Sequence, residues 1–111
     1  GSIQLSKTSR LTFGDVVTIS YSVKNDSSVV LGSEGAVVEL GEKYDQTFSL
    51  ITKIDKTAKP GETLSGKYVW KINGIPSNTD HDVILRISNG NPKDYVVYKE
   101  FPQRITYQQA K

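Results

Sequence analysis

The chain contains no cysteine and no methionine. The missing thiol removes disulfides, cysteine-ligated zinc and thiol nucleophiles together, although it does not by itself indicate a reducing compartment. Only one histidine and one tryptophan occur in 111 residues. No stretch approaches the roughly 20 consecutive apolar residues needed to cross a bilayer, and no charged start leads into an apolar signal core. Any signal or anchor segment is therefore expected upstream of this sequence. Neither sign of charge dominates: 14 basic against 12 acidic residues leave a formal charge of +2. The lysines stand singly along expected strands and loops, without the basic run that nucleic-acid binding favours, so no nucleic-acid partner is expected. Helical periodicity, βαβ alternation, internal repeats and low-complexity tracts are absent as well, which excludes a helical bundle.

What is present reads as strands and turns. The length suits one domain, taken as residues 3–107. Gly1 and Ser2 read as the remnant of a cleaved tag, and residues 108–111 as a C-terminal tail. The stretch from Lys59 to Ile72 organises the rest. Pro60 and Gly61 fit the middle of a type II turn. After them Leu64, Gly66, Tyr68, Trp70 and Ile72 share one face, the period of a half-buried strand, which predicts a central strand with a buried tryptophan face.

Before that strand, Ile3–Leu5 and Leu11–Phe13 read as pieces of an edge strand that switches sheets. Gly14-Asp15 reverses the chain into Val16–Lys24, where Val17, Ile19, Tyr21 and Val23 alternate with polar residues. Val29-Val30-Leu31 and Ala36–Leu40 predict two short strands or one with a bulge, followed by a turn over Gly41–Asp45. From Thr47 to Ile54 the alternation breaks, and a bulge near Leu50-Ile51 restores it. Beyond the tryptophan strand, Ile75–His81 reads as a loop. Val83, Leu85 and Ile87 give the inner face of the next strand, with Ile84, Arg86 and Ser88 outward. Asn89-Gly90-Asn91-Pro92 is a hairpin signal. Tyr95–Phe101 then predicts a last strand that is apolar on both faces, which Arg104–Tyr107 could extend. The expectation is an all-β fold, an immunoglobulin-like β-sandwich of about seven antiparallel strands.

The order of signals resembles a family of prokaryotic immunoglobulin-like modules, the CARDB-like adhesion-type domains. The resemblance rests on Gly14-Asp15, Val17, Ile19, Tyr21 and Val23-Lys24-Asn25, then Pro60-Gly61-Glu62-Thr63, then Tyr68-Val69-Trp70, and covers roughly residues 11–88. The segment between Val29 and Gly41 departs from the pattern, and so does the span 78–82, where a Pro-Gly turn is missing. The resemblance implies an extracytoplasmic setting at the cell surface or envelope. Similar sandwiches form soluble heads of membrane-anchored envelope proteins, including stator-type accessory proteins of the archaeal swimming filament, or archaellum. Membrane attachment would come only through a segment outside this sequence.

No constellation of residues rises to a reaction, so no catalytic residue, cofactor or metal is assigned. Asp80-His81-Asp82 is the one place where histidine meets carboxylates, but strand neighbours point to alternate faces, and a solvated loop is the better account. A hydrolytic triad would have to pair His81 with Ser77 or Ser88, and neither sits in a glycine-flanked nucleophile turn. Asn25-Asp26-Ser27 matches a glycosylation acceptor on an expected exposed turn, where plain turn chemistry explains it equally well. The doubly apolar last strand stands out. Val96 and Tyr98, with Tyr95 and with Ile84 on the neighbouring strand, predict an exposed protein-contact patch; cover by Ile105 and Tyr107, or by Val29-Val30-Leu31, is the competing account. The expected function is a non-enzymatic interaction module acting in anchoring or assembly. Its partner would be an envelope or S-layer protein or a second copy of the chain. A carbohydrate-binding module and a phage or virion decoration domain are the alternatives.

Overall fold

The computed structural model describes residues 2–76 and 80–108. They form seven antiparallel strands: β1 (Ser2–Leu5), β2 (Val16–Lys24), β3 (Val37–Tyr44), β4 (Thr47–Lys53), β5 (Thr63–Lys71), β6 (Asp80–Ser88) and β7 (Val97–Thr106). Three make one sheet in the order β1-β2-β5, and four make the other in the order β4-β3-β6-β7. The expected immunoglobulin-like sandwich is the observed one. Its fourth strand lies beside β3 rather than in the sheet of β1, β2 and β5.

β2 is the strand whose sequence specifies its placement most completely. Val17, Ile19, Tyr21 and Val23 are buried and their neighbours are not, because one face of an antiparallel sheet packs on the core while the other stays wet. Those four meet Val38 and Leu40 of β3, Val83, Leu85 and Ile87 of β6, and Leu64 and Ile72 around β5 in one continuous cluster. The first strand switches sheets as expected: Ile3 pairs with Tyr21 in one sheet, while Leu11 bridges Tyr107 in the other.

The turn before β5 closes as its residues dictate. Glu62 N–H donates to the Lys59 carbonyl at 2.9 Å, and Gly61 adopts a φ of +87°, which a type II turn demands at its third position. β5 nevertheless is an edge strand, not the central one; β2 takes the centre of that sheet. An edge position explains why Tyr68 and Trp70 are only partly buried against the core.

Three further expectations are corrected. β3 continues through Gly41 to Tyr44, and the reversal falls at Asp45, where φ is +57°. Val29-Val30-Leu31 forms no strand; only Leu31 bridges Ala58. β7 starts at Val97 rather than Tyr95 and runs through Pro102 to Thr106. The bulge expected near Ile51 is present: Leu40 faces Thr52 and Gly41 faces Leu50, so Ile51 is the extra residue.

Pro102 can sit inside β7 because β7 is an edge. The Thr106 carbonyl and N–H turn outward to Leu11 N–H and the Thr8 carbonyl. By alternation Arg104, Pro102 and Glu100 face the same outer side, so the proline lacks its N–H where no strand asks for it.

Candidate functional site

Tyr95, Val96, Val97 and Tyr98 form an exposed apolar run that enters β7, with Tyr98 56% exposed. Two structural causes place it there. Asn89 shapes the preceding loop: its Oδ1 accepts from Asn91 and Val96 N–H, and its Nδ2 donates to the Asp94 carbonyl. At the other side, β7 slips register opposite Ile87 and Ser88, leaving Tyr98 unpaired.

Ile84, expected in the patch, is not part of it; only 2% of it is exposed. It does lie on the outward face of β6, as do Arg86 and Ser88, but that face is covered. Phe48 reaches across from β4, and the ring rests on Gly41, where an added Cβ would come within 2.1 Å of it. The Arg86 guanidinium is buried beside it, donating Nε to Glu100 Oε2 at 2.9 Å and Nη1 to the Tyr95 hydroxyl at 3.2 Å. Burial pulls the Arg86 pKa down, but the bonds to Tyr95 and Glu100 outweigh it and the net shift is upward. Tyr95 is thus tied to the sheet through Arg86, while Val96 and Tyr98 stay free at the surface.

Beside Tyr98 the sandwich is open. Antiparallel partners share a face, so the pairing of Ile87 with Lys99 puts a lysine on the core side of β7 where an apolar residue would close the layer. The result is a groove of about 310 Å³ lined by Val23, Val29, Leu31, Ala36, Ile87 and Tyr98. Lys99 spans its mouth to Asp26 in an ion pair of 3.2 Å. Neither competing cover applies: Val29 and Leu31 line the groove without covering Tyr98, and Ile105 and Tyr107 sit at the opposite end of β7.

At that opposite end a polar cluster assembles which the sequence reading did not bring together. Glu42 on β3, His81 on β6 and Tyr107 just past β7 converge between the sheets. The Tyr107 hydroxyl donates to Glu42 Oε2, and His81 Nδ1 lies 2.6 Å from the same oxygen, off the line a hydrogen bond requires. Both imidazole nitrogens are buried without an aligned partner. Tyr44 stacks on the His81 ring with centroids 5.0 Å apart, and Tyr107 meets it edge-on. Burial, and then the Glu42 carboxylate, push the Tyr107 pKa up.

The residues weighed in the sequence as alternative sites are placed as follows. Asp82 accepts from Arg104 Nε on the outer face while His81 points to the core side, and the described residues hold no cluster of three or more metal-ligating side chains. Ser88 is fully buried, and Ser77 lies outside the described residues. Asn25 is buried, not on an exposed turn. Its Nδ2, the atom a glycan would occupy, donates to the Val29 and Ala58 carbonyls at 2.7 and 2.8 Å. Trp70 packs partly buried against the core.

Fold and surface together define the class: a seven-stranded, all-β immunoglobulin-like sandwich with an apolar run and groove at one end and a polar cluster of Glu42, His81 and Tyr107 at the other. In comparisons with known proteins the chain matches no family model and no curated protein.

Proposed function

We propose that the protein is a non-enzymatic interaction module of a cell-surface, envelope or appendage protein, acting in anchoring or assembly through the start of β7. The observation that carries this reading is the run from Tyr95 to Tyr98, exposed beside an apolar groove. Tyrosine and aliphatic side chains grouped in this way supply contact area at low conformational cost, and tyrosine is favoured at protein interfaces. Contact is expected through side chains rather than by adding a strand. Pro102 and the charged residues Lys99, Glu100 and Arg104 blunt the open edge of β7 against sheet extension.

The occupant is either a second copy of the chain or an envelope component, and one variant separates binding from folding. Val96→Lys with Tyr98→Lys places two charges at exposed positions, so the thermal midpoint should hold. Sedimentation velocity over a concentration series, with capture of surface proteins on immobilised chain, should show association lost. Unchanged sedimentation together with unchanged capture sinks the reading.

A further inference from the structure

The charge pattern of the cleft at the far end of the sandwich is unusual. Of the partly buried carboxylates, Asp15, Asp82 and Glu100 have a lysine or arginine partner: Lys7, Arg104, and Arg86 with Lys43. Glu39 and Glu42 have none among the described residues, and of these two Glu42 lies on the core side of β3, in step with the buried Val38 and Leu40. The Glu42 side chain is 19% exposed, its only ion-pair neighbour among the described residues is His81, and no hydrogen bond among them reaches Oε1. The cleft that Glu42 lines measures about 510 Å³ and is walled by Tyr44, Ile75, Pro76, His81 and Tyr107, with no lysine or arginine among its described lining. Glu42 also lines an adjoining space of about 390 Å³ with Ile51, Tyr68, Trp70 and Lys71; Lys71 makes no ion pair with it.

We propose that this cleft takes the ammonium group of a lysine side chain from an extended segment of a partner protein. The site supplies what such a group needs. Glu42 Oε1 accepts no hydrogen bond among the described residues, the Tyr44 ring stacked on His81 and the Tyr107 ring line the same cleft, and a half-enclosed space strips water from the cation. The imidazole of His81, nine-tenths buried with no aligned hydrogen bond, marks a cluster whose polar groups are not all satisfied by the chain itself. The adjoining space opens between β4 and β5, both edge strands of their sheets, so an extended segment lying there meets unpaired backbone groups on both sides. This surface is separate from the Tyr98 run, and either can fail without the other.

Since the chain has one histidine, the His81 ring resonances in a ¹H–¹³C NMR spectrum are an unambiguous reporter. Titration with a capped Ala-Lys-Ala peptide should shift the His81 and Tyr44 ring signals saturably. The same peptide carrying norleucine in place of lysine should leave them unmoved. Glu42→Gln, which keeps an acceptor for Tyr107, should weaken binding about tenfold or more. Tyr44→Leu, at the exposed rim where folding is not at risk, should weaken it less. Equal shifts from the norleucine peptide, undiminished binding by both variants, or no shift at all would overturn the proposal. So would n-butylammonium binding as tightly as the peptide, because the site would then serve free amines and not a partner segment.

Discussion

The guanidinium carbon of Arg86 lies 3.7 Å from the centre of the Phe48 ring, although β4 and β6 are separated by the whole of β3. The ring can cross only because Gly41 stands between them on β3. Its missing Cβ would otherwise fall 2.1 Å from Phe48 Cζ. Glycine weakens a strand interior and marks a place where something must approach the backbone closely; here it is an aromatic ring delivered to a buried cation.

Gly41→Ala should therefore expel the ring from Arg86. The φ of Gly41 is not positive, so no backbone strain is added, and the cost is the lost stacking and burial, about 1–2 kcal/mol. Urea denaturation reads it as a lower midpoint with unchanged slope. In a Phe48→Ala background the same substitution should cost close to nothing. An equal cost in both backgrounds would show that the ring and the glycine are not coupled.

The sequence made faces legible and covers illegible. The alternation of Val17, Ile19, Tyr21 and Val23 states which side of β2 is buried, and the broken alternation around Ile51 locates a bulge. The same reasoning puts Ile84 on the outward face correctly. What it cannot state is that Phe48, from a strand two places away in the sheet, closes over that face. The signal available was Gly41 itself, read as a turn former although its flanks alternate like a strand. The end cluster was hidden for a similar reason. Glu42 and Tyr107 are 65 residues apart, and only the pairing of β3 with β6 and of β6 with β7 brings them to His81.

Asn25 illustrates a motif that means packing. Its Oδ1 accepts from Ser27 N–H and hydroxyl while its Nδ2 joins two carbonyls from separate segments, so one amide ties the end of β2 to the Val29 and Ala58 loops. Asn25→Ala should cost about 2–3 kcal/mol, since it leaves buried carbonyls unpaired. Asn25→Asp should be at least as costly at neutral pH, because it aims a carboxylate at two carbonyls. It should recover in acid, where the protonated acid can donate again. A stability for the Asp variant that does not rise on acidification would refute this account. Mass spectrometry of the protein made in a glycosylating host should find Asn25 unmodified in the folded chain.

The alkaline limit of stability should be set in part by Tyr107. Its folded pKa is raised, first by burial and then by the Glu42 carboxylate that its hydroxyl bonds; Tyr21 is raised by burial alone. An unfolded tyrosine ionises near pH 10, so above that value the unfolded chain releases protons that the folded chain keeps. The unfolded state then binds fewer protons, and unfolding free energy falls as pH rises, by up to about 1.4 kcal/mol per pH unit for each such group. The stabilisation is complete below pH 10 and lost progressively above it. Tyr107→Phe removes one of these groups. It should cost about 1.5–3 kcal/mol at pH 8, where the bond to the carboxylate is lost, yet give a shallower decline between about pH 9.5 and 11. Urea unfolding of both proteins across that range measures the two slopes. Parallel slopes would mean that the Tyr107 hydroxyl ionises as readily in the folded protein as in the unfolded chain, and that the contact with Glu42 does not hold its proton.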